Sequence, residues 1–128
     1  MIKEAYCSFE VSKLLKEKEF NEECRSYYFD NGKNYTNSFT KLLKHDMDDD
    51  EILRPTHQMA MKWLREVHNI CITIYPDKEK KYEAVLYDTK DNVEIILQSF
   101  GIYGSHIFGN SYEEAVEAAL KYSLENLV

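Results

Sequence analysis

The residues best suited to metal chemistry form one acidic run, Asp46-Met47-Asp48-Asp49-Asp50. Its alternating aspartates match the first ligand positions of a calcium-binding loop. Such a loop also needs a glycine at its sixth position, which permits the turn, and a glutamate at its twelfth, which completes the coordination. This chain has Glu51 and His57 at those positions. The pattern therefore predicts a solvated acidic loop with at most weak affinity for divalent cations.

Four histidines could act as ligands or as acid–base groups. His57 and His68 lie on one predicted helix, but a rise of about 1.5 Å per residue separates them by about 16 Å. That distance is too great for one metal ion. His45 and His106 have no nearby ligand at a useful spacing. We expect all four to be cap, core-edge or surface residues.

The remaining reactive side chains form no recognisable motif. Cys7, Cys24 and Cys71 are odd in number and lack the Cys-x-x-Cys spacing of a zinc knuckle or a redox site. Gly101-Ile102-Tyr103-Gly104 lacks the third glycine and the strand-to-helix context of a dinucleotide site. No Ser-His-Asp or Cys-His set follows from the spacing. The sequence predicts no catalytic, cofactor-binding or metal-binding residue, and the balance leans against an enzyme.

Length and composition favour one α+β domain over residues 1–128. Hydrophobic residues make up 44% of the chain and charged residues 30%, which supports a packed core and argues against disorder. No stretch approaches the ~20 apolar residues of a membrane span. The N-terminus lacks a signal-peptide pattern, so we expect a cytoplasmic protein with free thiols and no membrane partner.

The net charge of -7 makes nucleic acid an unlikely partner, because its binders usually carry a basic surface. From Thr56 to Val128 the element order is that of double-stranded-RNA-binding domains, whose last helix begins with basic residues. Here that helix begins Tyr112-Glu113-Glu114, which has the wrong sign. Lys78, Lys80 and Lys81 match the basic turn of that family only in part.

Three helices are predicted from capping signals. Ser8 can cap a helix that runs to Lys18. Pro55-Thr56 opens a second helix, which ends at His68 before Asn69. Ser111-Tyr112-Glu113-Glu114 is a capping box, and it starts a helix that continues to the C-terminus. The apolar stripes predicted for the last two helices are Ala60, Met61, Leu64 and Val67, with Trp63 at the edge, and Ala115, Ala118, Ala119, Tyr122 and Leu124.

The first helix is followed by a predicted β-hairpin. Asn31-Gly32 is the strongest short hairpin signal, because both residues accept positive φ in a type I′ turn. A two-residue turn places Tyr28 opposite Tyr35 and Cys24 opposite Phe39 on one face. Tyr27 and Phe29 then point to the other face. Residues 44–54 are predicted to form a loop.

A three-stranded meander is predicted between the second and third helices. Ile70, Ile72 and Ile74 alternate with more polar residues, which indicates a strand with one apolar face. Residues 76–81 and 89–92 form turns, and 101–110 form a bent strand or a loop. The other two strands are Tyr82–Tyr87 and Val93–Phe100. The hairpin and the meander together predict an antiparallel sheet that is covered by about three helices.

Three segments carry a resemblance: Trp63–Ile70, Ser111–Ala115 and the helix from Ser8 to Lys18. They are similar to a family of small hypothetical proteins from gut Bacteroides-type bacteria, their phages and mobile elements. The resemblance covers most of the chain outside residues 44–54. It implies a bacterial or phage setting, and it brings no activity and no site residues.

Aromatic residues on both faces of the hairpin favour a non-enzymatic accessory or protein-interaction domain, with a protein partner or a homodimer. Exposed aromatic side chains are favoured anchors at interfaces. The residues predicted for the interaction surface are Tyr27, Phe29, Tyr75 and Tyr87. The alternative is a small enzyme or ligand-binding domain whose site forms only in the fold, with His57, His68, His106 and the acidic loop as first suspects. A nucleic-acid mimic is less favoured, because 16 basic residues dilute the negative charge.

Overall fold

The computed structural model describes residues 2–36, 41–79, 81–97 and 106–128. The chain divides into two compact units, Met1–Ala60 and Met61–Val128. Helices and antiparallel sheets occur together, so the predicted α+β class is confirmed. A single domain over residues 1–128 stays a prediction. No helix within the described residues is long and apolar enough to cross a lipid bilayer.

The first unit contains helix α1 (Phe9–Glu17) and a three-stranded antiparallel sheet. Ser8 caps α1 as predicted, because its Oγ accepts a hydrogen bond from the Val11 amide at 3.1 Å. The strands are β1 (Ser26–Tyr28), β2 (Asn34–Thr36) and β3 (Ile52–Leu53), in the order β2-β1-β3. Strand β1 is therefore central.

The hairpin register differs by one residue from the prediction. Tyr27 lies opposite Tyr35, and Tyr28 lies opposite Asn34. The Phe29 amide donates to the Lys33 carbonyl at 2.8 Å, which closes a three-residue loop. Gly32 adopts φ +85 at its end, the usual position of a left-handed residue in such loops. The sequence signal was right about the glycine and wrong about the loop length.

Two further predictions in this unit change. Cys24 forms an antiparallel bridge with Leu42, whereas its predicted partner Phe39 lies outside the described residues. The predicted loop 44–54 contains a 3-10 turn, Lys44–Asp46, as well as β3. Strand β3 is formed by its long-range pairing with β1. A two-residue strand is too short to show alternation, so the sequence pattern gave no signal for it.

Helix α2 (His57–His68) includes the boundary between the units. Thr56 Oγ1 accepts from the Met59 amide at 3.2 Å, and Asn69 ends the helix at φ 59, as predicted. The prediction that Val67 belongs to the buried stripe is wrong, since its side chain is 52% exposed. Trp63, which was placed at the edge of the stripe, is only 6% exposed. The Trp63 ring packs edge-on against His68, while Val67 lies in the last turn.

The second unit contains a four-stranded antiparallel sheet. Strands β4 (Ile70–Asp77) and β5 (Lys81–Asp88) pair along their whole length. The other edge of β5 pairs with β6 (Val93–Glu94) and with β7 (His106–Gly109). The first two predicted strands are confirmed.

The ends of these strands differ from the prediction. Strand β4 continues through Pro76, which is tolerated because β4 is an edge strand of this sheet. Strand β6 has only two residues, and residues 98–105 of the predicted strand and loop lie outside the described residues. Residues 101–110 were predicted to form a bent strand or a loop. The part of this range that the structure describes contains strand β7.

Helix α3 (Tyr112–Asn126) packs on β4, β5 and β7. Ser111 Oγ accepts from the Glu114 amide at 3.1 Å. The Glu114 carboxylate accepts the Asn110 amide instead of the Ser111 amide of the predicted capping box. A side chain at Gly109 would place its Cβ 2.5 Å from the Ala115 amide nitrogen, so this glycine permits close packing of β7 on α3.

The buried face of α3 also differs in part from the predicted stripe. Ala118 and Tyr122 are half-buried. Val116 and Leu120 face the core instead, because they lie four residues apart and at helical spacings of three and four from the buried Ala119 and Leu124. The buried residues of this helix are Ala115, Val116, Ala119, Leu120, Ser123 and Leu124.

Candidate functional site

Three aromatic side chains meet on the outer face of the hairpin. The Tyr27 ring lies 5.2 Å from that of Phe29 and 5.5 Å from that of Tyr35, measured between centroids. Phe29 is 39% exposed and Tyr35 is 48% exposed. We refer to Tyr27, Phe29 and Tyr35 as the hairpin aromatic cluster. The observed hairpin register creates this cluster, because it makes Tyr27 and Tyr35 cross-strand neighbours.

The opposite face of β1 holds this cluster in place. Tyr28 is buried, its hydroxyl donates to the Cys7 carbonyl at 2.7 Å, and its ring packs edge-on against Phe9 of α1. Successive strand residues point to opposite faces. Anchoring Tyr28 inward therefore directs Tyr27 and Phe29 outward.

Carboxylates border the hairpin aromatic cluster. Partial burial, together with the negative charges of Glu51 and Asp48, raises the pKa of Tyr27. Glu51 Oε1 accepts the Asp48 amide at 2.9 Å, which fixes this part of the acidic loop. The hydroxyls of Tyr27 and Tyr35 have no hydrogen-bond partner among the described residues. Each can donate a hydrogen bond to an incoming group.

Within the described residues, the side chains of the acidic loop belong to no group of three potential metal ligands. Asp48, Asp49 and Asp50 are exposed, in agreement with the predicted solvated loop. The Lys16 ammonium of α1 donates to the backbone carbonyls of Asp49 and Glu51. A positive charge thus already occupies the loop oxygens on this side.

The structure places His57 beside a residue that sequence spacing did not suggest. Cys7 Sγ and a ring nitrogen of His57 lie within 4.8 Å of each other. The Cys7 amide donates to the Pro55 carbonyl, and the His57 amide donates to the Ala5 carbonyl. These two backbone hydrogen bonds bring together Cys7 and His57, which are 50 positions apart in the sequence. Cys7 is 0% and His57 4% exposed, so the thiol is closed to substrates.

The other two suspected histidines have separate surroundings. His68 packs edge-on against the Trp63 ring at 4.7 Å. His106 Nδ1 lies 2.8 Å from Glu83 Oε2, and its ring stacks on Phe108. Neither His68 nor His106 belongs to a group of three potential metal ligands within the described residues. The predicted suspects do not form a common site.

Tyr75 and Tyr87 lie on the sheet of the second unit. Alternation along β4, β5 and β7 places Glu83, His106 and Phe108 on the same face as these tyrosines. A hydrogen bond with Tyr75 raises the pKa of Tyr87, and nearby Glu94 adds to the effect. We refer to Tyr75, Glu83, Tyr87, His106 and Phe108 as the sheet-face cluster.

Arg54 is a further candidate that the sequence did not reveal. Its guanidinium carbon lies 4.1 Å from the Tyr6 ring centroid and 5.3 Å from that of Tyr28. The residue lines a cleft of the first unit together with Cys24. Burial first, and then the charge of Glu22, raises the pKa of Cys24 to about 12. The Cys24 thiol is therefore neutral at physiological pH and is not an activated nucleophile.

The structure thus groups the four predicted surface residues in pairs. Tyr27 and Phe29 meet in the first unit, and Tyr75 and Tyr87 meet in the second. No protein-family model matches the chain, and no curated protein or solved structure is significantly similar to it. The chemistry of these clusters is therefore the best guide to function.

Proposed function

We propose that this protein is a non-enzymatic interaction module that binds a basic segment of a partner protein. The hairpin aromatic cluster is the binding surface. The observation that supports this function is the contact of three partly exposed aromatic rings beside an acidic loop. Such a surface offers apolar contact area and negative charge together.

The chemistry of the surface selects cationic side chains. A lysine or arginine placed over a tyrosine ring is attracted by the negative face of the ring. Asp48 and Glu51 add carboxylates within reach of the same group. The net charge of -7 also draws basic partners toward the protein and repels acidic ones.

The size of the surface points to a transient complex. Three clustered rings supply few anchors in comparison with a permanent interface. We expect a dissociation constant of the order of 1 µM, which corresponds to about 8 kcal/mol. Affinity should fall as salt is added, because exposed charges are screened. The family resemblance supports a bacterial or phage accessory role in the cytoplasm.

Fluorescence anisotropy with a labelled lysine-rich peptide tests the proposal. We expect saturable binding by the native chain and none to a glutamate-rich peptide. The double variant F29S/Y35S should weaken binding at least tenfold, because it removes the ring contacts. F108S is the matched control, since Phe108 is 41% exposed and belongs to the second unit. It should change the dissociation constant less than about twofold.

Three results would contradict the proposal. The peptide could bind both variants equally, or F29S/Y35S could unfold the protein, which would make both aromatic residues part of the core. Alternatively, sedimentation could show a homodimer that the double variant dissociates while the peptide has no effect. The surface would then bind a second copy of this chain.

A further inference from the structure

Arg54 is held in one orientation by four side chains. Its guanidinium packs over the rings of Tyr6 and Tyr28. Nη1 donates to Ser26 Oγ at 3.1 Å and to Thr36 Oγ1 at 3.4 Å. A guanidinium fixed in this way loses little conformational freedom when it binds a further group.

The charge of Arg54 has no counterion among the described residues. None of the ion pairs that involve those residues includes Arg54. Its Nε is buried and has no hydrogen-bond acceptor in the part of the chain that the structure describes. Because Nη1 is used by the two hydroxyls and Nε is closed to solvent, Nη2 is the guanidinium nitrogen left for an incoming acceptor. A guanidinium N–H forms a charge-assisted hydrogen bond with a carboxylate or phosphate oxygen.

The cleft beside Arg54 is large enough for a small organic molecule. Its volume is about 370 Å³, within the range of ligand pockets. Tyr6, Pro55 and Met59 give it an aromatic and apolar wall.

The polar lining of the cleft favours an anion. Arg25, Lys41 and Arg54 line it against Glu4 and Glu23, so three positive charges face two negative ones. Lys41 pairs with Glu23 at 3.5 Å. The remaining balance is positive in a chain whose net charge is -7. The neutral Cys24 thiol adds no negative charge.

We propose that this cleft binds a small organic anion in which a carboxylate or a phosphate is attached to an apolar body. The oxyanion accepts a hydrogen bond from Nη2 of Arg54, and the apolar body lies against Tyr6, Pro55 and Met59. The site is separate in chemistry from the hairpin aromatic cluster, because it recognises negative ligands and the cluster recognises positive ones. Failure of one proposal leaves the other standing.

Side-chain NMR of Arg54 in the full chain tests this site. Phenyl phosphate and benzoate are the probes, and benzyl alcohol is the neutral control. We expect at least one anion to shift the Arg54 Nε–H resonance saturably, with a dissociation constant below about 1 mM. Binding by phenyl phosphate alone would identify a phosphate ligand, and binding by benzoate alone a carboxylate. Benzyl alcohol should leave the resonance unchanged.

Two variants make the test specific. Arg54→Lys keeps the charge but loses the planar fork, so it should bind at least tenfold more weakly. Lys41→Gln leaves the Arg54 contacts intact and releases Glu23, so it should weaken binding severalfold even if Arg54→Lys does not fold. Unsaturable shifts, shifts reproduced by sodium chloride at equal ionic strength, or affinities unchanged in Lys41→Gln would overturn the proposal and leave Arg54 with a structural role.

Discussion

The two units carry aromatic groups of different character. In the hairpin aromatic cluster the rings contact one another, and the hydroxyls of Tyr27 and Tyr35 have no partner among the described residues. In the sheet-face cluster Tyr75 bonds to Tyr87, and His106 pairs with Glu83 at 2.8 Å. Both groups are partly exposed. Only the first leaves its polar atoms available.

An exposed side chain is therefore not always able to form a new hydrogen bond. A hydroxyl that already has a partner gives up one hydrogen bond to make another, so its net gain on binding is small. A free hydroxyl exchanges only water. The hairpin aromatic cluster is therefore the better binding surface, although residues of both clusters were predicted from the sequence as interaction residues.

The largest expected effect tests whether the hairpin aromatic cluster is dispensable for folding. Tyr28→Ala should lower the free energy of unfolding by about 3–5 kcal/mol, because it removes a buried ring. F29S/Y35S should cost below about 1 kcal/mol, since both side chains are substantially exposed. Urea denaturation measures both. Similar losses in the two variants would place the cluster in the core.

A smaller effect tests the acidic border. Asp48→Asn should weaken binding of the lysine-rich peptide by up to about fivefold and flatten its salt dependence, because one exposed ion pair is lost. Asp91→Asn removes the same charge from an exposed turn of the second unit. Equal effects of the two variants would mean that peptide binding depends on the net charge of the protein and not on the position of Asp48.

The sheet-face cluster should respond in stability and not in binding. His106→Ala removes the pair with Glu83, whose side chains are 43% and 21% exposed. Solvent screens such a pair, so we expect a loss of only about 0.5 kcal/mol. Peptide affinity should be unchanged. A variant that folds normally but no longer binds peptide would move the interaction surface to the second unit.

The smallest expected effect is spectroscopic. The pKa of Tyr87 is raised from 10.0, mainly by its bond with Tyr75, so Tyr75→Phe should bring it back toward that value. The raised pKa means that this contribution to stability is present below pH 10 and is lost as the pH rises through the folded-state pKa. Carbon NMR of labelled tyrosine rings follows the titration. Tyr35→Phe should leave the pKa of Tyr87 unchanged, and a shift there would contradict the pairing.

Local features of this fold could be predicted from the sequence. The caps at Ser8 and Ser111 and the helix stop at Asn69 depend on interactions within about four residues, and the structure confirms all three. Strands β4 and β5 were predicted because alternation over several residues is a strong signal.

Long-range features could not be predicted. Strand β3 forms only by pairing with β1. The Cys7 thiol lies beside His57, which is 50 residues away in sequence. The orientation of Arg54 depends on two tyrosine rings. The hairpin register shows the limit most clearly. Asn31-Gly32 is compatible with loops of two or three residues, and that choice decides whether Tyr27 or Tyr28 faces Tyr35.

The most direct test of the proposed function is an NMR titration of the isotope-labelled protein with the lysine-rich peptide. We predict saturable amide shifts at Tyr27, Phe29, Tyr35 and residues 48–51, with little change in β4 and β5. Shifts concentrated around Tyr75 and Tyr87, or no saturable shift at the hairpin, would contradict the proposed function.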